Sequence, residues 1–326
     1  MTIIDQIYGQ VKISEPVLIE LINCKPLQRL KQIHQTGANY FHWPQAKNLT
    51  RFDHSVGVML LLRRLGSSLE EQVAGLLHDV SHSAFSHVLD YLTDNRDHTA
   101  HEQFNEQFVA STNLPQLLHK HGLDPKKIFD HHNWPLLEQP APSLCADRLD
   151  YFMRDSLAYG VLSKTEVEQI LRHLDLANGC FVVNDREVAL MIGQRYLEMD
   201  RSYWAGSANS LAINYAVVEM IKRGLDLGII KFEDLWHYGD DELIGRLRQS
   251  GDANIERWFG VLNPEVSIHQ DNIHYDVYVY PKIRLIDPPV LENGRIRKLS
   301  QINSAYADQL AEAREFPTEL YLRFNQ

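Results

Sequence analysis

Arg51-Phe-Asp-His54-Ser-Val-Gly-Val-Met-Leu-Leu-Leu-Arg-Arg64, followed ten residues later by Ala74-Gly-Leu-Leu-His78-Asp79-Val-Ser-His82, is the stretch that decides how this chain folds. Val56, Val58, Met59, Leu60, Leu61 and Leu62 make the first segment apolar on every side, which marks a helix buried in a core. The second, Leu69 to Asp79, repeats the pattern with Val73, Leu76 and Leu77. It opens on Glu70 and Glu71, charges that suit a helix N-terminus. His78 and Asp79 end this apolar run and His54 opens the other. Burying an imidazole and a carboxylate there is costly unless something compensates them. A divalent metal would compensate both, and imidazole nitrogen with carboxylate oxygen suits manganese, iron, nickel, cobalt or zinc.

Outward from this pair the helical pattern continues. Ser14 to Ile33 is a stripe broken at Pro26, and His101 to Ala110 places Phe104 and Phe108 at i,i+4. Asp147–Leu157, Thr165–Leu174 and Ser207–Leu227 read the same way. Strand signals are few. Cys180 to Leu190 reads as a hairpin turning at Asn184-Asp185, and Tyr275 to Tyr280 alternates before Pro281, with Ile283–Ile286 as a candidate partner. The fold class expected is mainly α: a helical core over residues 1–240 with a small α+β C-terminal lobe, 241–326, packed on it. Tyr275, Val277 and Val279 either pair across a subunit interface or pack on the chain's own core.

The composition excludes several classes. Three widely spaced cysteines, Cys24, Cys145 and Cys180, form neither a disulfide framework nor a cysteine-rich zinc site. No basic n-region precedes an apolar run, and no apolar stretch is long enough to span a bilayer, so a cytoplasmic protein without membrane contact is expected. A net charge of −11 disfavours a surface for long nucleic acid. A small anionic substrate remains compatible, because a metal and a few arginines can reverse the field inside one pocket. Of the 16 histidines, many fall between His34 and His132.

Asp147, in Leu144-Cys-Ala-Asp-Arg-Leu-Asp-Tyr151, completes an order His54, His78-Asp79, Asp147. Taken singly each residue has an ordinary reading, as a core histidine or a helix cap. Their joint order, H…HD…D, resembles the HD superfamily of metal-dependent phosphohydrolases. Five blocks are similar to its deoxynucleoside triphosphate triphosphohydrolase branch: Gln28–Gly37, Arg51–Val58, Ala74–His87, His101-Glu102 and Asp147–Asp155. Together the similarity covers about residues 5 to 175.

The resemblance implies roles. His54, His78, Asp79 and Asp147 would be ligands to one divalent transition metal, with magnesium on the substrate phosphates as a further expectation. His82 and His101 would be catalytic histidines, since an imidazole can protonate a leaving oxygen near neutral pH. Asp90 and Glu102 would be their acidic partners. Arg51 and Arg148 would contact phosphate, Tyr151 and Asp155 would line the sugar, and Gln35 would reach its 3′-hydroxyl. If the helix ending in His78-Asp79 continued, His82 at i+4 would face the same way as His78.

The resemblance thins at Tyr203–Tyr215, which offers Ala205, Gly206, Asn209 and Asn214 where the branch has basic groups for distal phosphates. Lys164, Arg172 and Arg201 are the candidates to compensate. The first reading is hydrolysis of deoxynucleoside triphosphates to nucleoside and inorganic triphosphate. The alternatives are a phosphatase of nucleoside monophosphates or another small phosphoester, and a non-catalytic nucleotide-binding regulator. Homo-oligomerisation is expected from the branch.

Overall fold

Thr50 begins the central helix, Arg51–Arg64, by accepting the backbone N–H of Asp53 on its side chain. Ser68 does the same for Glu71 at the start of Leu69–Leu77. These caps satisfy donors that the first turn of a helix leaves unpaired. The two helices pack as an antiparallel pair, with Gly75 on Val58 and Leu62, and Ala146–Tyr159 packs on the first at Gly57. The computed structural model describes residues 1–86, 88–93, 100–317 and 319–325, with only the backbone described for 100–103 and 325. Of the described residues 56% are helical. Among them no helix is long and apolar enough to cross a membrane.

One hydrophobic core runs from Ile7 to Ala313 and includes the apolar face of every long helix. Pro26 divides the first stripe as its sequence implies, into Pro16–Ile22 and Lys25–Arg29. Two strand readings are corrected. Cys180–Val183 does form a strand, but its hairpin partner is Leu174–Ala177, turning through Asn178 and Gly179, both at positive φ. Asn184-Asp185 is no hairpin turn: Asp185 accepts from the N–H of Val188 and caps the 18-residue helix Arg186–Tyr203. Likewise Val277–Val279 pairs with Leu320–Asn325, not with Ile283–Ile286, which runs as extended chain without a ladder.

The C-terminal segment is stitched into the rest of the molecule. Pro289–Glu292 joins Cys180–Val183 in parallel, within a sheet ordered Leu174–Ala177, Cys180–Val183, Pro289–Glu292, Arg295–Lys298. Val277 and Val279 bury themselves against Leu211, Ala212, Leu320 and Leu322 of their own chain. Val277 and Val279 thus pack on their own chain, while Tyr275 is exposed.

Candidate metal centre

Four side chains from three elements converge. His54 lies on the first turn of Arg51–Arg64, His78 caps the C-terminus of Leu69–Leu77, Asp79 follows in the turn, and Asp147 opens Ala146–Tyr159. His54 Nε2 is 2.9 Å from Asp147 Oδ1 and 3.6 Å from Asp79 Oδ2. His78 Nε2 is 3.4 Å from both Asp79 Oδ1 and Asp147 Oδ1. Donor atoms of His54, His78 and Asp79 lie within 4.8 Å of one another, close enough to share one ion. His54 is fully buried, whereas the side chains of His78 and Asp147 are 15% and 20% exposed, so the cluster opens on their side.

Both imidazoles are oriented from behind. His54 Nδ1–H donates to Asp150 Oδ2 at 2.8 Å, and His78 Nδ1–H donates to the Gly75 carbonyl at 2.7 Å. Each contact fixes the tautomer that turns Nε2 toward the cluster, the usual support for a histidine ligand. His78 Nε2 is buried and has no hydrogen-bond partner. That orphaned atom, beside two carboxylates, fits a divalent ion: two imidazole nitrogens and two carboxylate oxygens are the donors such ions accept. When bound, an ion there supplies neutralisation of phosphate charge and activation of water. The Asp147 carboxyl sits well below its ordinary range, because the His54 and His78 contacts outweigh the burial that would raise it.

Asp150 is the residue that sequence reasoning passed over. It is fully buried and accepts from His54 Nδ1, from Tyr8 Oη at 2.8 Å, and from Arg154 Nε and NH2 at 3.0 and 2.9 Å. Arg154 in turn pairs with Asp5 at 3.1 Å. Gly57 lets the helices approach here, since a Cβ at this position would overlap Asp150 and the Arg154 guanidinium. The signal was present as Asp147-x-x-Asp150-x-x-x-Arg154, a spacing that puts all three on neighbouring turns of one helix.

His82 reaches the cluster by a different route from the one its spacing suggested. The helix ends at Leu77, and residues 78–86 form turns. His82 Nε2 nevertheless lies 3.1 Å from Asp79 Oδ1. This turn region is held from outside: Ala84 N–H donates to the Leu235 carbonyl, Trp236 Nε1 to that of Ser81, and Phe85 N–H to Asp240 Oδ1. Phe85 and Ser86 sit at φ of 58° and 53°, a left-handed conformation that non-glycine residues rarely adopt without such support. Asp240, fully buried, also accepts from His34 N and Nδ1.

The remaining sequence candidates are placed as follows. Arg51 is buried, bound to Asp79 Oδ2, to Ser86 Oγ at 3.0 Å and to the Gln35 carbonyl at 3.3 Å. Gln35 is buried beside it, its Oε1 without a partner. Tyr151 stands with its ring 6.3 Å from His54 and shares a 2.5 Å hydrogen bond with Tyr196 Oη. Asp155 accepts from Trp204 Nε1 at 2.9 Å, and burial pushes its carboxyl up to about 7. Arg148 turns to the loop behind, donating to the carbonyls of Gln139 and Ser143 and lying 3.6 Å from Glu138. Asp90 is buried on Val88–Leu92. The side chains of His101 and Glu102 lie outside the described residues.

A second trio, Glu138, Cys145 and Asp147, also brings donor atoms within 4.8 Å. Arg148 NH1 is already 3.2 Å from Cys145 Sγ, so a cation occupies that corner.

Comparison with known proteins gives the family and the fold. The HD domain model matches residues 51–155. The metal-dependent phosphohydrolase cns2 of Cordyceps militaris is 35% identical over 89% of this chain and 85% of its own length. The deoxynucleoside triphosphate triphosphohydrolase SAMHD1 of Danio rerio is 26% identical over 52% of this chain, which spans only 35% of that protein. The crystal structure of a phosphohydrolase from Bacteroides thetaiotaomicron superposes with a TM-score of 0.71 over the whole of both chains; at 19% identity it shows the shared fold.

Proposed function

Since the chain belongs to the family of HD-domain metal-dependent phosphohydrolases, we propose that it hydrolyses the phosphate ester of a nucleoside monophosphate or a similarly small phosphoester. One observation carries the choice of substrate: the stretch Tyr203–Tyr215 itself contains no lysine, arginine or histidine to hold distal phosphates. Asn214 is taken up within the fold, accepting from Ala38 N–H and donating to Asn39 Oδ1. Arg201 is exposed and pairs with Glu312, and Lys164 and Arg172 are exposed on Lys164–His173. A triphosphate carries several charges, and charge-assisted contacts are about twice as strong as neutral ones. Their scarcity therefore weighs against that substrate.

In this reading His54, His78, Asp79 and Asp147 hold the ion, and Arg51 positions a phosphate oxygen while keeping Asp79 ionised. His82 and His101 are the groups that deliver a proton to the leaving oxygen, with Asp90 and Glu102 setting their charge. Tyr151, Asp155 and Gln35, the last two each with an unpartnered buried oxygen, offer polar atoms to a ribose.

The deoxynucleoside triphosphate reading rests on the motif blocks and on the half-chain similarity to the Danio rerio protein. Chromatography of products from mono-, di- and triphosphates with manganese, cobalt or magnesium separates the possibilities. Orthophosphate from monophosphates is the result expected. Release of inorganic triphosphate would restore the first sequence reading, and no turnover on any substrate would leave a binding protein.

A further inference from the structure

The segment between Val277–Val279 and Pro289–Glu292 is anchored to the rest of the molecule along its length. Tyr280 packs against Tyr91, ring centroids 5.7 Å apart. Arg284 N–H donates to Asp200 Oδ1 at 3.2 Å, Tyr306 Oη to the Ile286 carbonyl at 2.6 Å, and Asp287 N–H to the Pro142 carbonyl at 2.9 Å. Anchored on both sides, the segment sets the half-buried Arg284 side chain among Tyr91, Tyr151, Tyr196 and Asp200. The Tyr151 hydroxyl is within electrostatic reach of Arg148, Arg284 and the ligand Asp147. Tyr151 thus neighbours both Arg284 and, with its ring 6.3 Å from that of His54, the cluster.

The other arginines near the centre have acceptors. Arg51 has Asp79, Arg154 has Asp150 and Asp5, and Arg148 has two carbonyls and Glu138. The Arg284 guanidinium makes no hydrogen bond or ion pair among the described residues; Asp200 takes its backbone N–H instead. A partly desolvated guanidinium without an acceptor is unfavourable unless a ligand supplies one. Its planar fork matches two oxygens of one phosphate.

We propose that Arg284 binds the phosphate oxyanion of the substrate ester, completing from the C-terminal segment a site whose metal ligands all lie before residue 148. This rests on the phosphoester reading above and deepens it, by making the C-terminal segment part of the substrate site. The substrate class it takes is a phosphomonoester with one dianionic group, set between the ion and the guanidinium.

The test uses the full-length, manganese-loaded protein and its R284Q and R284K variants. KM and kcat on a nucleoside monophosphate, the inhibition constant of inorganic phosphate, manganese content and melting temperature are measured together. Loss of a charge-assisted contact should raise both KM and the phosphate inhibition constant about 10- to 100-fold in R284Q. Manganese content should not change, and R284K should recover part of the loss. Values within twofold of wild type, or a fall in kcat alone, would overturn the proposal. Failure of both variants to fold would also overturn it, by making the guanidinium structural. Direct titration with inorganic phosphate separates this inference from the substrate reading. If wild type binds phosphate and R284Q does not, while no monophosphate is turned over, the substrate reading falls and Arg284 stands. If wild type does not bind phosphate at all, the role of Arg284 falls.

Discussion

Replacing Asp150 with asparagine tests whether the metal centre is built from behind. The carboxylate accepts four hydrogen bonds, from His54, Tyr8 and twice from Arg154, and it is kept ionised, its pKa below the ordinary carboxylate range, because Arg154 and His54 outweigh burial. An amide keeps the shape but turns an N–H₂ toward one side of this set. Either His54 Nδ1–H or the Arg154 fork then faces a donor. Loss of one or two charge-assisted bonds, at about 1.5–3 kcal/mol each, implies about 3 kcal/mol of destabilisation. With an unfolding entropy of about 2.1 cal/mol/K per residue over 326 residues, that lowers Tm by about 4 °C. Metal affinity should fall about 10- to 100-fold, the usual effect of removing a partner behind a histidine ligand. Calorimetric titration of the metal-free protein with manganese reads the affinity, and differential scanning calorimetry reads Tm. Asp5→Asn is the control, because it removes an Arg154 partner without touching His54. It should cost stability and leave metal affinity within about threefold. Equal manganese affinity in D150N and wild type would refute the reasoning.

Three further outcomes are expected. His78→Ala and Asp147→Ala should each lose bound metal and activity, measured by metal analysis and phosphate release; a fully active metal-free protein would falsify the ligand assignment. Gly57→Ala should destabilise by about 3 kcal/mol or more, as overpacking does at a rigid contact, and weaken metal binding in parallel with D150N; a neutral melting temperature would show that the two helices can part there. Asp155 gives a pH signature, because its folded carboxyl titrates at about 7 while the unfolded one titrates near 3.9. The folded chain holds the extra proton between those values, so this contribution is full below about pH 4 and fades as pH rises to 7. Asp155→Asn should flatten the dependence of Tm on pH across that window, and an unchanged slope would rule out a raised carboxyl.

The helical core and the convergence of His54, His78 and Asp79 were legible because each rests on a strong local signal. All-apolar segments such as Val56–Leu62 cannot lie on a surface, and His78-Asp79 at the end of one cannot be buried without a partner. The first turn of Arg186–Tyr203 was read as the second arm of a hairpin because Cys180–Val183 directly precedes it: β-branched residues followed by Asn184-Asp185 look like a hairpin, while Asp185 is equally a helix cap. The partner of Val277–Val279 lies more than forty residues away at Leu320–Asn325, and no nearby alternation points to it. Asp240, which fixes the turns carrying His82, is likewise invisible locally, since its contacts at His34 and Phe85 are 206 and 155 residues distant.

The N-terminal hairpin and the metal centre are parts of one electrostatic structure. Thr2–Asp5 and Gly9–Lys12 form only a four-pair ladder, and such a ribbon has little stability of its own. Asp5 on Arg154 and Tyr8 on Asp150 tie it to the helix that carries the candidate ligand Asp147 in its first turn. At the far end of that relay, Asp79 and Asp147 face two imidazoles at 2.9–3.6 Å, and Arg51 pairs with Asp79. One arginine cannot neutralise both carboxylates, and His78 Nε2 still lacks a partner. A divalent ion held by these residues would complete a network that extends back to Asp5. Ligand loss should be felt at the hairpin as faster amide exchange, because the helix carrying Asp147, Asp150 and Arg154 is its anchor.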